Sequence, residues 1–155
     1  MTDIARILLI DDDASIRRTI SKALEKAGYK VDTAENGKEA LEKVRANFYN
    51  LALIDIRLPD MDGTKLLTSM KDTTPKMIKI ILTGHPALEN AIDAVNKGAD
   101  AYVTKPVKIA ELQKVIKERL EKQVKDNEFD EQKINEFVQT RLKRLETEEK
   151  DKERK

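Results

Sequence analysis

The sequence predicts an α/β protein built on a five-stranded parallel β-sheet with helices on both faces. Short, almost wholly apolar runs alternate with segments whose apolar residues recur at helical spacing. Such runs are typical of parallel strands, because the helices that connect them bury the sheet on both faces. The 155 residues have room for about five strand–helix units, whereas a closed barrel needs about eight. We therefore expect an open, doubly wound sheet.

Each predicted strand is followed by a predicted helix. The strands are the apolar runs at residues 7–10, 31–34, 51–54, 78–82 and 101–103. The first helix covers 14–27 and ends at Gly28, a residue type that commonly terminates helices. A second helix begins at Asn36-Gly37, and a short third helix buries Leu66, Leu67 and Met70. The fourth and fifth helices are indicated by the stripes Leu88, Ala91, Ile92, Val95 and Ile109, Leu112, Val115, Ile116, Leu120.

The composition changes after the fifth predicted helix. We expect one α/β domain over residues 1–123 and a charged helical extension over 124–155, with no separate effector domain. In the extension, apolar residues still recur at three- and four-residue spacing, which predicts a sixth, amphipathic helix. Its stripe is Ile134, Phe137, Val138, Leu142 and Leu145. We expect the nearly continuous charges of 146–155 to fray into solvent.

The composition excludes several classes of site. The chain has no Cys and one His, so disulfides, thiol catalysis and Cys-ligated zinc are ruled out. The net charge of +1 and the lack of a basic stripe argue against direct binding of nucleic acid. No apolar run approaches the roughly 20 residues that a membrane span needs. We expect a cytoplasmic protein that does not bind membranes.

Polar side chains cluster at the carboxyl ends of four predicted strands, where open parallel sheets bind ligands. They are Asp11, Asp12 and Asp13 after the first strand, Asp55 after the third, Thr83 after the fourth and Lys105 after the fifth. Carboxylates that share a partly buried site repel one another, and a divalent cation relieves that repulsion. An all-oxygen ligand set favours Mg²⁺. Lys105 and Thr83 would then contact the oxygens of a bound phosphoryl group.

Several of these residues also have purely structural interpretations. Asp13 lies where an N-cap of the first helix is expected, and we favour that role over metal binding. His85 precedes Pro86 in a predicted turn and is interpreted as a loop residue. Tyr102, taken alone, is slightly better explained by packing on the fifth strand than by a function.

The ordered set of motifs resembles the receiver domain of two-component response regulators, the CheY-like family. The resemblance covers about residues 4–123. Its first motif is Ile7-Leu8-Leu9-Ile10-Asp11-Asp12-Asp13, followed by Ile16-Arg17. The second is Leu53-Ile54-Asp55-Ile56-Arg57-Leu58-Pro59-Asp60-Met61-Asp62-Gly63, and the last two are Leu82-Thr83-Gly84 and Val103-Thr104-Lys105-Pro106. The resemblance implies a flavodoxin-like fold with strand order 2-1-3-4-5 and a cis bond before Pro106.

The resemblance also implies functional roles. Asp55 would be the nucleophile that takes a phosphoryl group from a phosphohistidine of a sensor histidine kinase. Lys105 would pair with that group, and Thr83 with Tyr102 would form a conformational switch. The implied Mg²⁺ ligands are Asp11, Asp12, Asp55 and the backbone carbonyl of Arg57. Such a protein is not an independent enzyme, although it assists its own phosphorylation and dephosphorylation.

The sequence leaves two alternatives open for how the domain passes on its signal. In one, the domain signals to a downstream protein target; in the other, the last helix forms a homodimer or docks on the domain and responds to phosphorylation. A third alternative is that the sequence is a truncated piece of a longer protein.

A Mg²⁺-dependent phosphatase with an aspartyl nucleophile is the competing functional class. It is disfavoured because the best nucleophile candidate, Asp55, follows the third strand rather than the first, and because the chain has no room for a substrate-selecting cap.

Overall fold

The structure, a computed structural model, describes residues 4–70, 76–84 and 98–153. Five parallel strands form a single sheet in the order β2-β1-β3-β4-β5. This order confirms the doubly wound α/β fold with strand order 2-1-3-4-5. The strands are β1 (Arg6–Ile10), β2 (Lys30–Ala34), β3 (Leu51–Asp55), β4 (Ile78–Thr83) and β5 (Ala101–Thr104).

Four helices lie within the described residues. They are α1 (Ala14–Lys26), α2 (Gly37–Ala46), α3 (Gly63–Ser69) and a C-terminal helix (Ile109–Glu153). The stripe predicted as a fourth helix, residues 88–95, and the predicted loop residue His85 lie outside the described residues. Gly28 has φ +100° just after α1, the left-handed conformation that glycine adopts more easily than other residues.

The first three helices begin at polar N-cap residues. Asp13, Asn36 and Asp62 each have extended backbone and a side-chain oxygen that accepts a hydrogen bond from a backbone N–H of the first turn. Because these N–H groups have no partner within the helix, each cap stabilises the start of its helix. For Asp13 this confirms the predicted capping role.

The central strands are buried on both faces, as their apolar sequences predict. In β1, Leu8 and Ile10 belong to one apolar cluster, and Ile7 and Leu9 belong to the other. This alternation follows from the two-residue period of a β-strand. The C-terminal helix covers the second face with Leu112 and other residues of its first three turns.

The C-terminal helix differs from the sequence prediction. We expected a fifth and a sixth helix, but residues Ile109–Glu153 form one helix of 45 residues. The segment contains no Gly or Pro to end it, so the helix continues through the change in composition. The charged residues 146–153, which were expected to fray, are helical as well.

The chain divides into two compact units, Met1–Leu120 and Glu121–Lys155. The first contains the sheet, α1–α3 and the first turns of the C-terminal helix. The second is helical over its described residues. Among the residues that the structure describes, no helix has the length and apolar content required to span a membrane.

Candidate metal site at the carboxyl edge of the sheet

The parallel register brings the predicted carboxylates to the same edge of the sheet. Ile10 of β1 is paired with Ile54 of β3, so Asp11 and Asp55 follow neighbouring positions in adjacent strands. One carboxylate oxygen from each of Asp11, Asp12 and Asp55 lies within 4.8 Å of the other two. The site predicted from strand ends is therefore assembled in the structure.

Lys105 lies between two of the three carboxylates. Its Nζ is 3.0 Å from Oδ2 of Asp11 and 3.3 Å from Oδ2 of Asp55. Asp11 is completely buried, and Asp55 is 6% exposed. Two buried negative charges so close together are stable only with a compensating cation. The Lys105 ammonium provides that charge.

The pKa values of this group of side chains show the balance between burial and pairing. Burial raises the pKa of Asp55, with the charge of Asp11 acting in the same direction, while Arg57 N–H and Lys105 oppose the increase. Burial works against the charge of Lys105, but the nearby carboxylates of Asp11 and Asp55 outweigh it and raise the pKa of Lys105. The lysine is therefore held in its charged form.

Asp11 is held in place through its backbone as well as its side chain. Its N–H donates to the carbonyl of Ala34 at 3.1 Å, and its Oδ1 accepts from the Asp13 N–H at 2.9 Å. The guanidinium of Arg17 donates to the Asp11 carbonyl at 2.7 Å and also to Glu35 at 3.3 Å. These bonds restrict Asp11 to one orientation. No role for Arg17 follows from the sequence, in which this residue is visible only as part of a motif.

The loop after β3 is a tight turn in which Arg57 faces Asp62 in an antiparallel β-bridge. The Arg57 N–H donates to Oδ1 of Asp55 at 3.1 Å. Two backbone bonds flank the bridge, from Gly63 N–H to the Ile56 carbonyl at 2.7 Å and from Leu58 N–H to the Met61 carbonyl at 3.3 Å. Neither of them involves the carbonyl of Arg57, which is compatible with its predicted use as a metal ligand.

Gly63 allows α3 to start directly against the end of β3. A Cβ at this position would lie 2.5 Å from the backbone oxygen of Asp55 and 2.7 Å from Cα of Ile56. Both contacts are shorter than real Cβ atoms show, and both involve backbone, which cannot rotate away. The motif glycine is thus required by the close approach of two backbones beside Asp55.

The predicted switch residues lie on β4 and β5. Thr83 is buried, and its backbone carbonyl accepts a hydrogen bond from Lys105 N–H at 2.7 Å. Tyr102 lies on the edge strand β5 and is 48% exposed. The bond between Lys105 and Pro106 is cis, as the resemblance implied.

The donor set at this edge fits a hard divalent cation. The three side chains offer carboxylate oxygens only, and hard cations such as Mg²⁺ prefer oxygen ligands. Asp12 is exposed, whereas Asp11 and Asp55 are buried, so the cluster can be reached by solvent from one side. Asp11, Asp12 and Asp55 are therefore the residues that can hold a metal ion.

One contact beside this site was not predicted. Asp60, at the tip of the loop after β3, accepts hydrogen bonds from the N–H groups of Gly37 and Lys38 at the start of α2. The two partners are 23 and 22 positions away in the chain. No local pattern in the sequence indicates a contact over that distance.

Comparison with known proteins supports the interpretation of the fold. A sequence model described as the response regulator receiver domain matches residues 7–117. The chain is 38% identical over 114 residues to the transcriptional regulatory protein ZraR of Klebsiella oxytoca, covering 74% of this chain and 26% of that protein. It is 41% identical over 105 residues to the DNA-binding transcriptional regulator NtrC of Escherichia coli K12, covering 68% and 22% respectively.

Comparison with solved structures points to the same receiver-domain family. The crystal structure of a response regulator receiver domain protein (CheY-like) from Methanospirillum hungatei JF-1 has a TM-score of 0.77 and 45% sequence identity, covering 80% of this chain and 99% of that one. By contrast, the chain spans about a quarter of the length of the curated relatives just named. The chain belongs to the response regulator receiver domain family of two-component signalling proteins.

Proposed function

We propose that this receiver domain accepts a phosphoryl group on Asp55 from a phosphohistidine of a sensor histidine kinase. The observation that carries the proposal is the position of Lys105, whose Nζ lies 3.0 Å from Asp11 and 3.3 Å from Asp55. A cation held there is placed to pair with a phosphoryl group bound to Asp55. Membership of the receiver family supports the same reaction.

In the proposed step, a carboxylate oxygen of Asp55 attacks the phosphorus atom of the phosphohistidine. A P–O bond forms, the P–N bond breaks, and the imidazole nitrogen leaves with the electron pair and takes up a proton. Lys105 pairs with the negative charge on the phosphoryl oxygens. The hydrogen bond from Arg57 N–H orients the carboxylate through its Oδ1 atom at 3.1 Å.

We assign Mg²⁺ as the metal cofactor of this site. The ion supplies positive charge to the phosphoryl oxygens when it is bound. The carboxylate-only donor set supports this assignment. The proposed ligands are Asp11, Asp12, Asp55 and the backbone carbonyl of Arg57.

We propose that Thr83 and Tyr102 form the switch that responds to phosphorylation. A phosphoryl group adds about two negative charges, and the Thr83 hydroxyl can donate a hydrogen bond to one of its oxygens. The exposed ring of Tyr102 would then turn inward on β5. A state that contacts the phosphoryl oxygens better gains population, which is how a local charge changes the surface of a domain.

The proposed output is a contact with another protein, either a downstream target or a second copy of the chain. The C-terminal helix exposes several large apolar side chains beyond Leu120, namely Val124, Ile134, Phe137, Val138, Leu142 and Leu145. Direct binding of nucleic acid is not part of the proposal, because these residues are apolar and the net charge is only +1. We propose that the protein acts in the cytoplasm and is not an enzyme with an external substrate.

The phosphoacceptor is tested by mass spectrometry. The protein is incubated with Mg²⁺ and acetyl phosphate, a small phosphodonor, and the intact mass is measured. We expect one added phosphoryl group in the wild type and none in Asp55→Asn. An adduct of equal yield in Asp55→Asn, or no adduct in the wild type, would contradict the assignment.

The same samples test the output. Size-exclusion chromatography with light scattering compares the phosphorylated and unphosphorylated protein. A change from monomer to dimer supports output through a second copy. An unchanged mass assigns the output to a different protein partner.

A further inference from the structure

The loop after β3 is attached at its tip to the first turn of α2. Oδ1 of Asp60 accepts from Gly37 N–H at 2.8 Å, and Oδ2 accepts from Lys38 N–H at 2.9 Å. The helix also has its own cap, because Asn36 accepts from Glu39 N–H at 2.8 Å. The first four N–H groups of a helix have no partner within the helix. In α2, three of these four groups are therefore satisfied by two separate side chains, those of Asp60 and Asn36.

Packing reinforces this attachment next to the hydrogen bonds. Met61 lies against Gly37, where an added Cβ would be 2.4 Å from its sulfur atom. The two backbone N–H groups lower the pKa of Asp60, so the carboxylate remains charged at the positive end of the helix dipole. The loop is thus fixed on α2 by two charge-assisted bonds and by the packing of Met61 on Gly37.

The attached loop is the one that carries Arg57. Leu58 and Met61 are joined by a backbone hydrogen bond of 3.3 Å, and Asp60 lies between them. A displacement of the loop tip would therefore move the backbone of Arg57 as well. Asp60 itself is at the surface, is not one of the three clustered carboxylates, and has no position in the proposed reaction.

We propose that Asp60 is a positioning residue for the metal site. It holds the loop after β3 on α2 and thereby keeps the Arg57 carbonyl in position to bind the metal ion. The proposal rests on the function proposed above, because it takes the Arg57 carbonyl as a Mg²⁺ ligand. A metal ligand is oriented by the groups that hold it, and loss of such a group weakens metal binding by about tenfold or more.

A purely structural role for Asp60, as an additional helix cap, makes a different prediction. Asn36 provides the matched control, because Asn36→Ala removes a cap from the same end of α2 without touching the loop. If Asp60 only stabilised the helix, the two variants would have the same effect on metal binding. A positioning residue affects metal binding, whereas the control affects stability alone.

The experiment titrates Mg²⁺ into the full chain by isothermal calorimetry, for the wild type, Asp60→Ala, Asp60→Asn and Asn36→Ala, with thermal melts in EDTA. We expect Asp60→Ala to weaken Mg²⁺ binding by about tenfold and Asp60→Asn, which keeps one acceptor oxygen, to weaken it less. We expect Asn36→Ala to lower the melting temperature and to leave the Mg²⁺ affinity at the wild-type value.

Hydrogen exchange of the Leu58 amide gives a readout that does not depend on the metal. This N–H bonds to Met61 within the loop, so its exchange should be faster in Asp60→Ala and unchanged in Asn36→Ala. Should Asp60→Ala fail to fold, Asp60→Asn decides the question by the same two measurements.

Two kinds of result would overturn the inference, and they are distinguishable. Wild-type Mg²⁺ affinity in both Asp60 variants, or an equal loss of Mg²⁺ affinity in Asn36→Ala and Asp60→Ala, would show that Asp60 only caps the helix and would leave the proposed function intact. A wild type that binds no Mg²⁺ would overturn the metal assignment of the proposed function, and this inference with it.

Discussion

Adjacent aspartates at the end of β1 have different physical roles. Asp11 is buried against Lys105, Asp12 is exposed within the carboxylate cluster, and Asp13 caps α1 through bonds of 2.8 and 3.2 Å to Ser15 and Ile16. All three are Asp, so only the direction of each side chain separates a member of the carboxylate cluster from a helix cap. Substitutions at these positions should have separable effects.

At this scale we predict opposite behaviour for Asp12→Ala and Asp13→Ala. Asp13→Ala should lower the free energy of unfolding by about 1 kcal/mol, as for other N-cap losses, and leave the Mg²⁺ affinity unchanged. Asp12→Ala should weaken Mg²⁺ binding at least tenfold with little loss of stability. Urea denaturation in EDTA and Mg²⁺ calorimetry measure the two effects. Weakened Mg²⁺ binding in Asp13→Ala would make Asp13 a ligand.

At the scale of elements, glycines differ in what surrounds them. Gly63 lies at the junction of β3 and α3, where an added Cβ would meet backbone at 2.5 Å. Gly84, just after β4, has no atom of the described residues within 4 Å of such a Cβ. The two positions therefore form a matched pair for testing how closely α3 must approach β3.

We predict that Gly63→Ala lowers the free energy of unfolding by about 1–3 kcal/mol, the usual range for overpacking, because backbone must move. Gly84→Ala should change it by less than about 0.5 kcal/mol. Urea denaturation of both variants provides the measurement. Equal stability of the two variants would mean that the junction can relax.

A hydrogen bond between buried Tyr49 and Asp32 ties β2 to the segment that precedes β3. The Tyr49 hydroxyl donates to Oδ2 of Asp32 at 2.6 Å, and Arg6 pairs with the same oxygen at 3.3 Å. The bond from Tyr49 is the largest influence that lowers the pKa of Asp32, and burial opposes it. Conversely, burial and then Asp32 raise the pKa of Tyr49, so its hydroxyl stays protonated as a donor.

The lowered pKa of Asp32 makes its contribution to stability dependent on pH. A carboxyl group with a folded-state pKa below its unfolded value stabilises the fold above the unfolded value, about 3.9 for Asp, and loses that contribution as the pH falls through the folded-state value. We predict that Tyr49→Phe lowers the free energy of unfolding by about 1–2 kcal/mol at pH 7 and by less below pH 4.

This prediction is measured by urea denaturation of wild type and Tyr49→Phe across that pH range. Asp32→Asn serves as the control background. In that background Tyr49→Phe should lower the free energy of unfolding by less, and the loss should depend little on pH. A cost in the wild-type background that stays constant from pH 7 to acid would argue against the Asp32 carboxylate as the partner.

At the scale of the whole molecule, the buried core and the C-terminal segment are separate parts of the chain. Among the described residues, the buried apolar side chains all lie between Ile7 and Ile116. The described side chains from Val124 onward are exposed. Isolated helices have little stability of their own in water, so the second unit should contribute little to the folding of the first.

We predict that a chain ending at Gln123 unfolds with a free energy within about 0.5 kcal/mol of the full chain, as for surface changes. Urea denaturation at low protein concentration is the measurement, with Mg²⁺ calorimetry to show that the site is retained. A stability that falls on truncation and depends on protein concentration in the full chain would indicate instead that the segment stabilises the domain through self-association.

Much of the molecule follows from the sequence alone because its signals are local. The strands, the first three helices and their polar starts are encoded in runs of a few residues, whose apolar period matches the period of the backbone. Placing Asp11, Asp12, Asp55 and Lys105 at one edge needed only the rule that parallel strands end together. The prediction of separate fifth and sixth helices was wrong, because a change in charge does not end a helix that contains no Gly or Pro.

Only the tertiary structure decided which side chains meet. The bond between Lys105 and Asp11 joins residues 94 positions apart, and the loop that carries Asp60 reaches α2 over 23 positions. Arg17 was also visible in a motif, but its bond to the Asp11 carbonyl depends on how α1 packs beside β1. Such contacts are set by sheet register and packing distance, which no local pattern encodes. The sequence by itself thus determined the elements and the chemistry at one edge of the sheet, and folding determined how that chemistry is held in place.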